Sequence, residues 1–152
     1  MPIEYKRIDS AILAKLAETE GDWLNTAVII REDTFPLAAL DGGVPVGYIC
    51  CTARVLDPPL EHLQDAYIEV LGVDEHYRRQ GIGEGLVARA EEWAKSAGFR
   101  QIRTHSNNRA VEAIHLWLKR GYGLCQHDYH EYDPATEEYK NRFSGYWVAK
   151  VL

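Results

Sequence analysis

The stretch from Leu71 to Gly85 constrains this chain more than any other. Residues 67–73 are apolar and rich in strand formers, apart from Glu69 and Gly72, and they read as a strand. Residues 83–97 carry Leu86, Val87, Ala90, Trp93, Ala94 and Ala97 at helical spacing, and Gly98 follows as a stop signal. Between strand and helix lies Arg78-Arg79-Gln80-Gly81-Ile82-Gly83. A glycine-bearing turn that feeds a helix presents unpaired backbone N–H groups at the positive end of the helix dipole, and glycine lets a ligand approach the main chain. Such a turn suits phosphate or pyrophosphate, and Arg78 and Arg79 add charge-assisted donors. Two phosphate-binding fingerprints fail on spacing. Leu86 stands where a dinucleotide-binding turn has its third glycine, and no Gly-Lys-Ser/Thr follows for a Walker A loop.

The rest of the chain places this unit in a mixed α/β (α+β) domain. Residues 3–8 read as a first strand, Asp9 and Ser10 as the cap of a helix with Ile12, Leu13 and Leu16 on one face, and Gly21 as its end. Residues 22–34 are ambiguous between a second helix and a strand. Residues 35–40 and 44–52 form a hairpin about Asp41-Gly42-Gly43, whose glycines supply the positive φ of a tight reversal. Pro58-Pro59 marks a loop over residues 57–66. Beyond the long helix come a strand at 99–104, a helix at 110–120 with Ala113, Ile114, Trp117 and Leu118 on one face, and two strands at 122–130 and 146–152 joined by a polar loop. No repeat, linker or low-complexity tract interrupts residues 1–152, which therefore read as a single domain.

The 152 residues suffice to bury a core without metal or disulfide staples. Lys and Arg number 17 against 23 Asp and Glu, a net charge of −6, which disfavours non-specific nucleic-acid binding. No apolar run approaches the length of a membrane span, and no signal pattern opens the chain. Three cysteines, two of them the adjacent Cys50 and Cys51, do not make a disulfide framework. These features point to a reduced, cytoplasmic setting. Cys50 and Cys51 point to opposite faces of a strand and read as packing residues. Cys125, His127 and His130 do not share one strand face, so no metal site is assigned.

The run Leu71-Gly72-Val73, Tyr77 to Gly83 and Leu86 resembles motif A of the GCN5-related N-acetyltransferases (GNAT), with Arg78, Gly81 and Gly83 filling its pattern. Asn107-Asn108, Ala113-Ile114, Leu116-Trp117 and Lys119 to Tyr122 resemble motif B, and the hairpin ending in Val46-Gly47 stands in its usual place. The resemblance implies a central, mostly antiparallel sheet flanked by helices, whose parallel strands splay apart to admit the cosubstrate acetyl-CoA. It implies that Leu71, Gly72 and Val73 pair their backbone with the pantetheine arm, as an added strand does. A bulge near Gly72 helps to open the sheet. The amides of Arg79, Gln80, Gly81, Ile82, Gly83 and Glu84 hold the pyrophosphate together with Arg78, and Asn107 or Asn108 touches the pantetheine end. By the same resemblance the protein is an acetyl-CoA-dependent N-acetyltransferase, monomeric or homodimeric.

Acetyl transfer requires an amine that has lost its proton, since an alkylammonium has a pKa of about 10.4. Glu69 is the candidate base or ammonium anchor; strand alternation puts it on the same face as Leu71, whose N–H is the candidate oxyanion donor. Trp117 holds the position of a family tyrosine acid, and indole cannot donate a proton. Tyr129 and Tyr132 are the candidate substitutes, beside a bound water or direct thiolate release. Two windows without Lys or Arg, 57–69 and 125–138, are acidic and attract a polycationic amine if they border the acceptor. Asp128 and Tyr132, Glu137-Glu138, Tyr146-Trp147 and Glu69 are also similar to streptothricin acetyltransferases. The acceptor expected is thus a small cationic amine, antibiotic-like or polyamine-like. A protein or peptide N-acetyltransferase and a non-catalytic CoA-binding sensor are the alternatives.

Overall fold

The computed structural model describes residues 2–107 and 109–152, without the side chains of residues 129 and 141–143. The expectations placed on Asn108 and on the Tyr129 side chain lie outside the described residues. The chain divides into two compact units: residues up to Ile102 together with Leu152, and Arg103–Val151.

In the first unit β1 (Glu4–Arg7), β2 (Phe35–Asp41), β3 (Val44–Val55) and β4 (Gln64–Val73) pair antiparallel in chain order. Gly42 and Gly43, at φ 56° and 83°, make the two-residue reversal between β2 and β3. Three helices accompany them: α1 (Ser10–Glu20), α2 (Leu24–Ala27) and α3 (Ile82–Ser96). The Asp9 carboxylate caps α1, accepting the Ile12 N–H at 2.8 Å. The ambiguous segment resolves into the single turn of α2, with Val28 buried behind it.

Alternation along β3 sorts the two faces. Tyr48 and Cys50 pack with Ile12, Leu16, Leu24 and Val28 of the α1–α2 side. On the other face a Cβ at Gly47 would lie 3.1 Å from Ile82 and 3.3 Å from Leu86, so glycine there admits α3. Cys50 and Cys51 accordingly point to opposite faces, both buried, and burial raises both thiol pKa values. On α3, Leu86, Val87, Ala90 and Ala94 are buried, and Trp93 stacks on Phe35 at 5.5 Å. Ala97 departs from the expected stripe: α3 stops at Ser96 and leaves Ala97 exposed.

The loop expected over residues 57–66 is shorter, because β4 already begins at Gln64. Asp65, which reads as loop polarity in the sequence, is fully buried within the strand. Its carboxylate accepts from Gln101 Nε2 at 2.6 Å and faces Arg100 Nε at 3.2 Å, which offsets its desolvation.

The second unit takes in most of β5 (Gln101–Asn107), then α4 (Val111–Lys119), β6 (Gly123–Asp133) and β7 (Glu138–Val151). β6 and β7 pair antiparallel from Gly123 opposite Ala149 to Asp133 opposite Glu138. The polar loop expected after residue 130 is therefore mostly strand, and only residues 134–137 turn. Residues 131–140 are exposed apart from the partly buried Asp133, so the β6–β7 ladder there shows no apolar alternation to read. Trp117 is buried and packs on Tyr122 with ring centroids 5.0 Å apart.

Candidate functional site

The segment after β4 is tied down at several points. The Asp74 N–H donates to Val46 O at 2.8 Å. The Asp74 carboxylate accepts the His76 N–H at 2.9 Å, starting a single 3₁₀ turn, and that bond together with the His76 ring lowers its pKa. The Tyr77 hydroxyl donates to Asp41 Oδ2 at 2.7 Å, which anchors the segment to the β2–β3 turn and raises the phenol pKa. Arg78 Nε donates to Val73 O at 3.1 Å, folding the side chain back over the end of β4.

Arg79 at φ 63° and Gly81 at φ 80° then bend the backbone through the left-handed region on either side of Gln80. Ile82 opens α3 directly, and no side chain caps it. The first N–H groups of a helix have no carbonyl one turn earlier, so they face outward at the positive end of the dipole. A Cβ on Gly81 would meet no atom within 4 Å. Positive φ alone demands glycine there, and the space beside the turn is open. The strand–turn–helix read in the sequence is thus present, with backbone N–H groups at the start of α3 and open space beside Gly81. Gly85, which the sequence reading passed over, serves packing: a Cβ there would come 2.1 Å from the Tyr5 hydroxyl. Its signal was a glycine inside a helical pattern, where a close approach is the usual cause.

Two expectations on β4 are corrected. The bulge falls at Glu69 and not near Gly72: Cys51 is opposite Ile68, Cys50 opposite Val70, and Glu69 is the extra residue. Gly72 lies in regular register opposite Tyr48. It is glycine because the Tyr48 ring lies over it; a Cβ would be 2.3 Å from that ring. The bulge also reverses the alternation, so Glu69 and Leu71 do not share a face. Leu71 is opposite Ile49, on the α3 side, whereas Glu69 reaches Thr52, on the α1–α2 side.

Glu69 is held firmly. Its Oε1 accepts from Thr52 Oγ1 at 2.6 Å and Arg54 Nε at 2.8 Å, and its Oε2 pairs with Arg54 Nη2. Arg54 lies over the Tyr67 ring at 4.0 Å, and its hydrogen bond to Glu69 raises its own pKa. The acidic window 57–69 is therefore half neutralised, with Asp65 and Glu69 both facing arginines. Tyr48 was not singled out in the sequence. Burial and then the Glu20 carboxylate, to which its hydroxyl bonds, push its phenol up to about 12. This ties the end of α1 to the strand beside Gly72.

In the second unit, Asn107 Oδ1 accepts the Arg109 N–H at 2.9 Å, a local turn ahead of α4. Tyr132 is half exposed and packs against Tyr139 at 5.2 Å. His105 Nε2 lies 3.3 Å from His127 Nδ1, with Trp147 against both rings, and burial followed by the His127 charge lowers the His105 pKa. Among the described residues no three His, Cys, Asp or Glu side chains form a metal cluster, and no helix is long and apolar enough to cross a membrane.

A family model, the acetyltransferase (GNAT) family, matches residues 5–122. The chain belongs to that family. It is 35% identical over 72 residues to a Xenopus tropicalis protein named Probable N-acetyltransferase 14, a stretch covering 47% of this chain and 34% of the relative. The chain spans about a third of the length of the curated relatives it matches. Among solved structures it is similar to the ribosomal-protein-S18-alanine N-acetyltransferase of Escherichia coli, with TM-score 0.74, 16% identity, and 99% and 94% of the two chains covered. It is also similar to a Bacillus anthracis structure assigned as a streptothricin acetyltransferase, in complex with acetyl coenzyme A. There the TM-score is 0.62 and the identity 21%, over 84% of this chain and 67% of that one. The fold is the one these structures share: a mostly antiparallel sheet with parallel strands, flanked by helices.

Proposed function

We propose that this chain is an acetyl-CoA-dependent N-acetyltransferase acting on a primary amine of a small cationic molecule. The observation that carries the reading is the turn from Arg78 to Gly83, with left-handed Gly81 opening onto free space at the start of α3. Acetyl-CoA, when bound, supplies an activated thioester. The amides of Arg79, Gln80, Gly81, Ile82, Gly83 and Glu84 bind its diphosphate at the helix N-terminus, and Arg78 adds charge. The backbone of Leu71, Gly72 and Val73 receives the pantetheine arm, and the Leu71 N–H stabilises the oxyanion.

Glu69 takes a proton from the acceptor ammonium, directly or through water, which frees the amine lone pair to attack the thioester carbonyl. The structure supports this by holding the carboxylate in one orientation with Thr52 and Arg54. Asn107 at the pantetheine end, and Tyr132 or Tyr129 as proton donor to the departing thiolate, complete the assignment. These three rest on the family resemblance.

A second reading, acetylation of a protein N-terminus, is favoured by the likeness to the Escherichia coli enzyme named for ribosomal protein S18. One experiment tests both. The purified protein is melted with and without millimolar CoA, then assayed for CoA release with a panel of polyamines, aminoglycosides, streptothricin-like compounds and peptides. Binding raises the Tm by ordinary linkage, and Gly83→Glu abolishes that rise by crowding the phosphates with a side chain and a negative charge. No Tm rise in the unmodified protein overturns the reading; turnover of peptides but not of small amines selects the second.

A further inference from the structure

We propose that the hydrogen bond from Tyr77 to Asp41 holds the turn from Arg78 to Gly83 ready for the diphosphate of CoA, which makes Tyr77 and Asp41 positioning residues for the cosubstrate. The proposal deepens the acetyl-CoA reading of that turn and rests on it. All the residues concerned lie within the first unit. A turn whose amides receive an anion binds it more tightly when it is shaped beforehand, because less ordering is left to be done on binding. This turn has a cost to meet. Arg79 sits at φ 63°, a left-handed conformation that a residue with a Cβ disfavours. Residues in such conformations persist where the structure around them holds them there.

Upstream of Arg79 the backbone is fixed at Asp74 and again at Tyr77. The Asp74 N–H donates to Val46 O at 2.8 Å, and the Asp74 carbonyl accepts the Tyr77 N–H at 2.9 Å, which closes the 3₁₀ turn between them. Tyr77 is partly buried, and its hydroxyl reaches 36 residues back along the chain to donate to Asp41 Oδ2 at 2.7 Å. Asp41 is a rigid support. It ends β2 immediately before the Gly42-Gly43 reversal and lies opposite Val44 across it. A hydroxyl donating to a carboxylate makes a charge-assisted bond, stronger than one between neutral groups. Arg78, the next residue, is drawn back to Val73 O at 3.1 Å, so the chain enters the left-handed bend at Arg79 from a fixed point. Tyr77 and Asp41 act through that bend: the hydroxyl is spent on the carboxylate, and the residues that receive the diphosphate follow it.

The test measures CoA affinity by titration calorimetry, beside steady-state kinetics with acetyl-CoA and with S-acetylpantetheine, which carries the same thioester and no diphosphate. Tyr77→Phe keeps the ring and removes the bond. It is expected to raise Kd for CoA and KM for acetyl-CoA by about fivefold or more, with kcat and the KM for S-acetylpantetheine within about twofold. Asp41→Ala should match it, and the double variant should be no worse than either single one, since all three lose the same bond. Asp41→Asn leaves an amide oxygen to accept the phenol O–H and should keep Kd within about threefold of the unmodified protein. An unchanged CoA affinity in Tyr77→Phe and Asp41→Ala overturns the proposal even where the Tm of the unliganded protein falls, since the bond is then a brace for the fold alone. Additive losses in the double variant, or an equal rise in the KM for S-acetylpantetheine, overturn it as well. If the unmodified protein binds no CoA, the wider reading fails and this one with it; CoA binding that ignores the Tyr77–Asp41 bond sinks this one alone.

Discussion

Replacing Glu69 by Gln separates a clamp from a base. The carboxylate is 14% exposed and accepts from Thr52 and twice from Arg54, whose side chain is 49% exposed. Removing one partner of a charged hydrogen bond costs about 1–3 kcal/mol when buried. The half-exposed guanidinium regains water, so the lower part of that range, about 1–2 kcal/mol, applies here. Arg54→Met breaks the same pair from the other side and should cost a similar amount. In a double-mutant cycle by urea denaturation the two changes should couple by about 0.5–2 kcal/mol. Catalysis should not follow the same pattern. Glu69→Gln should lower kcat by on the order of 10²-fold or more, as expected for loss of a general base, while Arg54→Met leaves a carboxylate in place and should cost about tenfold or less. The assay is CoA release at saturating acetyl-CoA with the best amine of the panel. Equal losses of kcat in both variants would mean that the pair acts only as a brace, and an unchanged kcat in Glu69→Gln would remove the residue from the mechanism.

Two further predictions concern Tyr48. Its phenol pKa lies at about 12 in the folded protein against an ordinary 10. A raised folded value stabilises fully below pH 10 and is lost as pH rises through 12, so the native state should lose roughly 2–3 kcal/mol over that window. Tyr48→Phe, which gives up the bond to Glu20 at a cost of about 1 kcal/mol near neutrality, should lack that extra alkaline loss. Denaturation curves for both proteins at pH 8 to 11.5 test this, and parallel slopes refute it. Gly72→Ala should destabilise by about 1–3 kcal/mol because the new methyl meets the Tyr48 ring. In a Tyr48→Leu background the same change should cost less than half as much; an undiminished cost would place the conflict elsewhere.

The parts of this protein legible in its sequence are those where local chemistry and tertiary need agree. Asp9 and Gly21 bound α1 because a cap and a stop act within a few residues, and Gly42-Gly43 turn the hairpin for the same reason. The turn at Gly81 was legible because left-handed backbone ahead of a helix leaves few choices of residue. What was hidden depends on partners far along the chain. Asp65 reads as a loop residue until Arg100 and Gln101 are seen beside it. The ribbon after His130 reads as a loop because its strands are exposed and carry no apolar alternation. Gly72 read as the place of a bulge, whereas its lack of a side chain answers the ring of Tyr48. The placement of Glu69 and Leu71 on one face failed because strict alternation cannot anticipate an inserted residue.

That inserted residue has a wider consequence. Up to Ile68 the strand keeps one phase with its neighbour, and from Val70 onward it keeps the other. The half that carries Asp65 and Tyr67 and the half that carries Leu71 and Val73 can therefore be altered independently. A change of side chain on one does not dictate which way the other must point. A lineage of such proteins can exchange the groups that greet an acceptor while the stretch leading into the diphosphate turn stays as it is.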